Sequence, residues 1–185
     1  MTPFTLDPEK SRLLVIDMQA RLLPVISDGE HMMSNLKILL KACAVTKTPV
    51  VYTEHYPKGL GGVPDDLKDA MPEESKRFEK IHFSCWREPG FTELLRPEGR
   101  KQVVVSGIES HICVLGTVMD LLADGFDVAL VSDACSSRKR EHHEEALRAI
   151  TGAGGLVVPT ETVVYQLLQR ADTEQFRAML PFFRN

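Results

Sequence analysis

KQVVVSGIESHICV, residues 101–114, joins a short apolar run to a glycine-containing turn and then to a predicted helix start. The run KQVVVS at 101–106 has the length and apolarity of a buried strand. We predict a helix over about 110–124 that ends at Gly125. A strand that leads directly into a helix is the repeating unit of α/β domains, so this stretch predicts that fold class.

Similar units lie on both sides of this stretch. We predict strands at 12–17 (RLLVID), 50–53 (VVYT), 78–83 (FEKIHF), 127–132 (DVALVS) and 156–158, and helices at 31–46, 91–95, 141–153, 160–170 and 173–182. The clearest strands are continuously apolar, which is typical of a parallel sheet covered on both faces. The predicted fold is therefore a three-layer α/β/α, Rossmann-like domain with a mostly parallel central sheet. No repeat or linker divides the chain, so we predict one domain over residues 1–185.

Composition argues against several classes of partner. Hydrophobic residues make up 43% and charged residues 26% of the chain, as in ordinary globular proteins. The 22 basic and 26 acidic residues give a net charge of −4 without a block of either sign, so we expect no nucleic-acid partner. The apolar runs are far shorter than the roughly 18 residues of a membrane span, so we expect no membrane association. The start MTPFTLDPEK does not resemble a signal peptide, and we predict a cytoplasmic location.

Cofactor motifs are not evident in the sequence. Four cysteines stand at positions 43, 85, 113 and 135 without a C-x-x-C pair, so neither a zinc ribbon nor a thioredoxin-like motif is indicated. Two glycine clusters, at 59–62 and 152–155, lack the spacing or the strand-before-helix context of phosphate-binding loops. We therefore predict that the protein uses no cofactor.

The predicted strand ends carry residues with reactive side chains. In an open parallel sheet, ligands bind beyond the carboxyl ends of the strands. The first strand places Asp17 there, and the turn after 101–106 places Cys113 there. Cys113 falls in the first helical turn, with Ser110 as the predicted N-cap, and a helix start stabilises a thiolate. A carboxylate and a thiol in one cleft are a base and a nucleophile for covalent catalysis.

Each of these residues also has a purely structural explanation. An Asp at a strand end commonly caps a loop or a helix. A cysteine near a helix start is commonly a small packing residue, and Lys80 is most simply a solvated lysine. His111 is close to Cys113 in sequence, but residues two apart on a helix do not face each other, so it is not favoured as the base.

Three blocks, in order, resemble the signature motifs of the isochorismatase-like (cysteine hydrolase) superfamily. They are VIDMQ at 15–19, FEKIHFSCW at 78–86 and GIESHICV at 107–114. VSDACSSR at 131–138 is also similar, and TEHYPKGLG at 53–61 is similar to a loop of the isochorismatase-domain-containing hydrolases. The resemblance covers nearly the whole chain, and the blocks are specific in combination.

The resemblance implies a catalytic triad. Asp17 would be the base, Lys80 the supporting cation and Cys113 the nucleophile. It also implies a cis peptide bond between Ile108 and Glu109, and an oxyanion hole made by the backbone N–H groups of Glu109 and Cys113. Removing one such donor typically costs roughly 10²–10³ in rate. Because Lys80 and the helix start would lie beside the thiol, we expect a lowered pKa for Cys113 and preferential alkylation there.

The implied reaction is hydrolysis of a small amide-type substrate through a thioester on Cys113. The resemblance places certain loops around the cysteine, which makes His55, Tyr56, Phe83 and Trp86 possible walls of the substrate pocket, with ordinary packing as the alternative. The loop after the second strand has one His and no H-x-H spacing, unlike the metal-dependent nicotinamidases. We therefore predict no metal site.

Other functions stay open at this point. A catalytically silent, oligomeric interaction module would keep the fold, although it would have no reason to retain the complete triad. A redox-sensing protein would use Cys113 with Cys85 or Cys135 as the resolving thiol. A nicotinamidase-type amidase is a further alternative, made doubtful by the missing metal ligands.

The C-terminal segment bears on assembly. Residues 176–185 (FRAMLPFFRN) are rich in large apolar side chains. Such side chains need a covering surface, which is either the chain's own domain or another subunit. The resemblance implies homo-oligomers, so we predict a homo-oligomer with this segment at or near an interface.

Overall fold

The computed structural model describes residues 4–96 and 99–184; residues 1–3, 97–98 and 185 of the predicted domain lie outside this description. The strands are β1 (Ser11–Ile16), β2 (Val50–His55), β3 (Lys76–Lys80), β4 (Gln102–Ile108), β5 (Asp127–Ser136) and β6 (Leu156–Val158). They form one six-stranded sheet in the order β3-β2-β1-β4-β5-β6. Every neighbouring pair in this order is parallel, which confirms the predicted α/β class.

Helices connect the strands and cover both faces of the sheet. They are α1 (Gly29–Thr46), α2 (Pro57–Leu60), α3 (Asp65–Lys68), α4 (Phe91–Leu95), α5 (Leu115–Ala123), α6 (Arg140–Ala153), α7 (Thr160–Leu168) and α8 (Glu174–Met179). Short 3-10 turns occupy Leu23–Val25, Cys85–Arg87 and Leu180–Phe182, and a π-helical turn occupies Ser110–Val114. Within the described ranges, no helix is both long enough and apolar enough to cross a membrane.

The two faces of the sheet have separate hydrophobic cores. Along β1, Leu13 and Val15 pack on the side of α1 and α7. Leu14 and Ile16 point to the other face and pack on the side of α5 and α6. Because both faces are covered, β1 is buried along its whole length, and its sequence reads as a continuous apolar run.

Gly107 allows β4 to approach β1 closely, just before the turn that carries Cys113. Its φ is 122°, and a Cβ atom at this position would lie 2.1 Å from the carbonyl oxygen of Ile16. Any side chain would therefore push the ends of β1 and β4 apart. The glycine keeps Asp17, which follows β1, close to the turn after β4.

The predicted strand at 78–83 is shifted in the structure. β3 covers Lys76–Lys80, so Lys80 is its last residue and residues 81–83 belong to a loop. β3 is an edge strand, and its sequence KRFEK is mostly charged and partly exposed. The apolar side chains that suggested a strand, Ile81 and Phe83, are instead exposed loop residues.

β5 extends four residues beyond its predicted end. After a register shift, Gly107 lies opposite Cys135 and Ile108 opposite Ser136. Hydroxyl groups here bond to the main chain: Ser106 Oγ donates to Ala134 O at 2.5 Å, and Ser136 Oγ donates to Ser27 O at 2.6 Å. These bonds satisfy buried polar side chains, which is why a polar sequence continues the strand.

Two other local predictions differ from the structure. The predicted helix over 110–124 consists of the π-helical turn followed by α5, which ends at Ala123. The four-residue helices α2 and α3 were not predicted, because a single turn is too short to show a 3.6-residue period.

The C-terminal segment packs back on its own chain. Met179 is buried against Ala42 of α1 and against Val164 and Leu168 of α7. The rings of Phe176 and Phe183 lie against Tyr165, with centroid distances of 6.0 and 5.6 Å. The intramolecular alternative therefore accounts for most of the apolar side chains in this segment.

Candidate active site

Four adjacent strands bring the predicted site residues to one edge of the sheet. Asp17 directly follows β1, His55 ends β2, Lys80 ends β3, and Cys113 lies in the π-helical turn after β4. Because these strands are neighbours in the order β3-β2-β1-β4, their carboxyl ends meet at the same place. The structure thus brings Asp17, Lys80 and Cys113 together in the region where open parallel sheets bind ligands.

The candidate site contains a buried ion pair. Lys80 Nζ lies 2.7 Å from Asp17 Oδ2, and both side chains are at most 1% exposed. Thr53 Oγ1 donates a hydrogen bond of 2.7 Å to Asp17 Oδ1. Oδ2 receives no hydrogen bond of regular geometry from residues 4–96 or 99–184, so its contact with Lys80 is best described as an ion pair. The two carboxylate oxygens therefore have different partners: Oδ1 accepts from Thr53, and Oδ2 faces the Lys80 ammonium.

The Lys80 ammonium is held from several directions. Besides its ion pair, Nζ donates to the carbonyl oxygens of His82 and Phe83, each at 3.2 Å. Burial by itself lowers the pKa of Lys80, but the charge of Asp17 and the nearby thiols of Cys85 and Cys113 outweigh this effect and leave the pKa raised. Lys80 is consequently a permanent cation beside the thiol.

The pKa of the Cys113 thiol corrects the sequence-based expectation. Burial raises this pKa, and the negative charge of Asp17 raises it further, whereas Lys80 lowers it by less. The side chain interacts with both Asp17 and Lys80, and the residue is 7% exposed. The prediction of a lowered pKa was wrong because the sequence shows neither the depth of the thiol nor its closeness to a carboxylate. The raised pKa favours the protonated thiol, and the charges of Asp17 and Lys80 act on it in opposite directions.

The turn that carries Cys113 is fixed by side chains of the 131–138 segment. The peptide bond between Ile108 and Glu109 is cis. The Glu109 carboxylate accepts from Arg138 N at 2.9 Å and from Arg138 Nε at 3.1 Å. Val114 N donates to Glu109 O at 3.3 Å, which closes the π-helical turn. Glu109 is thus anchored through both its side chain and its carbonyl group.

Ser110 and His111 have different roles from those considered in the sequence. Ser110 makes no side-chain cap for the turn, and its Oγ is 2.8 Å from Nδ1 of His143 in α6. His111 Nδ1 is 2.9 Å from Ser137 Oγ, and its ring packs against His142 at 4.6 Å. The prediction of Ser110 as the N-cap was therefore wrong. The contacts of His111 with Ser137 and His142 agree with the view that it is not the base.

Three of the four predicted pocket residues lie beside Lys80. His55 Nδ1 is 3.4 Å from Lys80 Nζ, and its ring stacks on Phe83 with a centroid distance of 5.5 Å. Tyr56 N donates to Lys80 O at 2.9 Å, and the side chains of Tyr56 and Phe83 are both exposed.

The fourth predicted pocket residue, Trp86, packs against residues other than Lys80. Its ring packs against Phe91 and Phe126 at 6.4 and 5.2 Å, and Arg96 lies over it at 5.5 Å. Packing, which was the alternative for this residue, accounts for its position.

Two supporting residues, Thr53 and Gln19, were missed by the sequence reasoning. Thr53 holds Asp17, as described above. Gln19 bridges the ends of β1 and β2, since its Nε2 donates to His55 O and Gly61 O at 3.0 and 2.6 Å while its Oε1 accepts from His55 N at 2.7 Å. Both residues lie in the blocks VIDMQ and TEHYPKGLG, so their presence there was the available signal. Their partners are distant in sequence and became visible only in the fold.

The histidine beside Lys80 leads to a prediction for stability at low pH. Burial and the charge of Lys80 lower the pKa of His55 from its usual 6.5. The folded state therefore binds this proton less readily than the unfolded state, so stability is lost as the pH falls below about 6.5. We expect the melting temperature of the wild type to fall relative to that of His55→Asn between about pH 7.5 and about pH 5. The other histidines contribute equally to both proteins. A difference in melting temperature that stays the same at both pH values would contradict the lowered pKa of His55.

The described residues do not suggest a metal site. No group of three or more His, Cys, Asp or Glu residues in ranges 4–96 and 99–184 is arranged to hold a metal ion. His55, which ends β2, has Nδ1 3.4 Å from the Lys80 ammonium, and a cation at that distance opposes binding of a metal ion by this nitrogen.

The sequence and the fold match known proteins. The family model for the isochorismatase domain matches residues 11–162. Isochorismatase domain-containing protein 2 of Danio rerio is 36% identical over 172 residues, which are 93% of this chain and 86% of that protein.

Solved structures show the same fold. MAR1 ribonuclease from Caenorhabditis elegans has a TM-score of 0.91 at 30% identity, covering 97% of this chain and 92% of that chain. YcaC from Pseudomonas aeruginosa, solved with hexane-2,5-diol and covalent acrylamide, has a TM-score of 0.89 at 25% identity, with the same two coverages.

Proposed function

The chain belongs to the isochorismatase family, as its sequence blocks predicted, and on that premise we propose that residues 1–185 form one cysteine-dependent hydrolase domain acting on small amide-type C–N bonds. The observation that carries the proposal is the buried Asp17–Lys80 pair of 2.7 Å at the strand ends beside the turn of Cys113, whose thiol pKa both charges affect. A nucleophile, a base and a fixed cation in one place are the parts that covalent acyl transfer requires.

The first half of the proposed reaction forms a thioester. Asp17 takes the thiol proton as the sulfur of Cys113 bonds to the amide carbon, and the carbonyl electrons move onto oxygen. Lys80 offsets the negative charge that passes through the site. Collapse of the tetrahedral intermediate breaks the C–N bond, and Asp17 returns its proton to the leaving nitrogen. The amine departs and the acyl group stays on sulfur.

The second half releases the acid. Asp17 removes a proton from a water molecule that attacks the thioester, and the thiolate leaves and regains a proton. The net reaction is amide plus water to acid plus amine. A raised pKa of the Cys113 thiol suits these reaction steps, because the thiol proton then stays in the site until the departing amine needs it.

We propose the backbone N–H groups of Glu109 and Cys113 as the oxyanion hole. This is supported by their place in the turn that carries the nucleophile and by the two-point anchoring of Glu109 to Arg138. Fixed donors stabilise the developing charge without reorganising during the reaction. The role of Arg138 would be to hold Glu109, and it would not touch the substrate.

The rings near Lys80 are our candidates for substrate contacts. They belong to His55, Tyr56 and Phe83, of which Tyr56 and Phe83 are exposed. Lys80 itself is already occupied by Asp17 and by two carbonyl groups. A small neutral amide fits this surrounding better than an anionic one, since Lys80 has no direction left for a substrate carboxylate. We propose a reaction without metal or cofactor, which makes a metal-dependent nicotinamidase a less favoured alternative.

An activity screen tests the proposed function. Wild type is incubated with a varied panel of small amides, with and without a chelator, and amine or ammonia release is measured. RNA is included because one structural neighbour bears the name ribonuclease. Turnover of an amide that the chelator leaves unchanged supports the proposal. Cleavage of RNA with every amide untouched overturns it, and inactivity on all substrates favours the silent module.

The redox alternative makes a different prediction. The four cysteines are buried and unpaired, as expected for thiols in a reducing compartment such as the cytoplasm, which we propose as the location. Mild peroxide followed by intact-protein mass measurement separates the two functions. An intramolecular disulfide that includes Cys113 would favour redox sensing over hydrolysis.

We propose that the protein assembles as a homo-oligomer. Three large apolar side chains, Val25, Tyr56 and Phe83, are between 53% and 62% exposed in the single chain. Side chains of this kind commonly mark contacts between subunits. Light scattering after size exclusion should give a multiple of 20.7 kDa. A 20.7 kDa particle at micromolar concentration would contradict the proposal.

A further inference from the structure

A short exposed loop holds Lys80 in place. Residues 81–83 follow β3, and the carbonyl oxygens of His82 and Phe83 each accept a hydrogen bond of 3.2 Å from Lys80 Nζ. A lysine side chain has several rotatable bonds, so the position of its ammonium depends on these acceptors as well as on Asp17. The loop is therefore part of what fixes the cation beside Cys113.

Hydrogen bonds to one carboxylate hold the backbone of this loop. Glu88 Oε2 accepts from Ile81 N at 2.8 Å, from His82 N at 2.9 Å and from His82 Nδ1 at 2.8 Å. The side chain of Ile81 is 71% exposed, so apolar burial within the chain contributes little here. Three donors on one oxygen make Glu88 the principal anchor of residues 81 and 82.

The far end of the segment is fixed separately, to the helix that follows Cys113. Ser84 Oγ donates to Asp120 Oδ2 at 2.7 Å, and Cys85 N donates to Thr117 Oγ1 at 2.9 Å. These bonds do not involve Glu88. Loss of the Glu88 carboxylate would therefore release residues 81 and 82, while the ring of Phe83 stays stacked on His55 and the segment from Ser84 onward stays attached to α5.

We infer that Glu88 is a positioning residue that holds the Lys80 ammonium beside Asp17 and Cys113 through the loop 81–83. Its described hydrogen bonds are to Ile81 and His82, and none is to Asp17, Lys80 or Cys113, so it would act on the thiol indirectly, through the position of Lys80. The inference rests on the proposed function for its catalytic consequence, but the placement of Lys80 beside the thiol can be measured without any substrate.

The charge of Glu88 is available across the working pH range. Burial raises its pKa in part, but the N–H groups of His82 and Ile81 and the His82 ring lower it to about 2. The charged and titratable groups around Lys80 are Asp17, His55, Cys85 and Cys113, and Glu88 also acts on His55. Alanine at position 88 therefore removes one fixed negative charge and three acceptor contacts, whereas glutamine removes the charge and keeps an acceptor oxygen.

Alkylation of Cys113 by iodoacetamide is the substrate-free test. The rate of labelling at Cys113, followed by peptide mapping, is compared for wild type, Glu88→Ala and Glu88→Gln over about pH 7 to about pH 9.5. When Lys80 loses its position, the thiolate loses a stabilising charge. We expect about tenfold slower labelling in Glu88→Ala, with the rate curve moved up by about one pH unit. Glu88→Gln, which keeps an acceptor oxygen, should fall between them.

Glu93→Gln is the matched control. Glu93 lies on α4 in the same region, and the described contact of its side chain is with Thr92 Oγ1 at 2.9 Å. Its labelling curve should superpose on that of the wild type. If Glu88→Ala fails to fold, the milder Glu88→Gln carries the test.

Two outcomes decide the inference. Superposable labelling curves for wild type and the folded Glu88 variants would overturn it. This holds also if the melting temperature of the variants falls, because Glu88 would then have only a structural role. A displaced curve supports it even if the amide screen finds no substrate, so failure of the proposed function stays distinguishable. Where a substrate is known, kcat should fall about tenfold in Glu88→Ala with KM nearly unchanged.

Discussion

Replacing Cys113 with Ala should lower amide hydrolysis by at least about 10⁴-fold, because removal of a covalent nucleophile leaves only binding and oxyanion stabilisation. The protein should stay folded, since the side chain is small and the turn is held by Glu109 and Arg138. The measurement is the rate of amine release under saturating substrate, together with the melting temperature of each protein.

Cys43→Ala is the matched control for this substitution. Cys43 is also a buried thiol, but it lies in α1 within the other hydrophobic core. Its loss should cost about 1 kcal/mol of stability and leave the rate within a few-fold of wild type. Equal activity of Cys113→Ala and wild type, or equal loss in both variants, would remove Cys113 from the mechanism.

The buried ion pair should show strong energetic coupling. Asp17→Asn leaves the Lys80 ammonium without its counterion, and Lys80→Met leaves the Asp17 carboxylate with Thr53 as its described hydrogen-bond donor. Removing one partner of a buried pair typically costs about 3–5 kcal/mol in the free energy of unfolding. The double variant has no buried charge at this place, so it should recover most of that loss.

Urea unfolding of the four proteins measures this coupling. We expect each single variant to be destabilised and the double variant to be close to the wild type. All three variants should lack activity, so stability and function separate in the double variant. Additive losses would mean that the 2.7 Å contact does not couple the two residues.

The sequence predicted the sheet well where a strand is buried on both faces. Residues 13–16 and 103–105 are apolar because helices cover both sides, so their short continuous apolar runs identified β1 and β4. β3 was misplaced because an edge strand needs fewer apolar side chains. The polar end of β5 was missed because its hydroxyl groups bond to main-chain atoms of distant segments.

The site was predicted in part for a similar reason. Topology places strand ends together, so Asp17 and Cys113 followed from the strand pattern, whereas Lys80 needed the family resemblance. The pKa of Cys113 could not be predicted, since burial and the carboxylate outweigh the nearby cation only at this depth and distance. Glu88 was missed because its role depends on a loop whose sequence gives no sign of its hydrogen bonds.

Partition of the acyl group between water and hydroxylamine tests the central claim, a thioester intermediate, most directly. Two substrates with the same acyl group, an amide and the corresponding ester, are hydrolysed in the presence of hydroxylamine, and the ratio of hydroxamate to acid is measured for each. A common acyl-enzyme on Cys113 predicts the same ratio for both, because the leaving group has departed before partition. A ratio that depends on the leaving group would contradict the covalent mechanism.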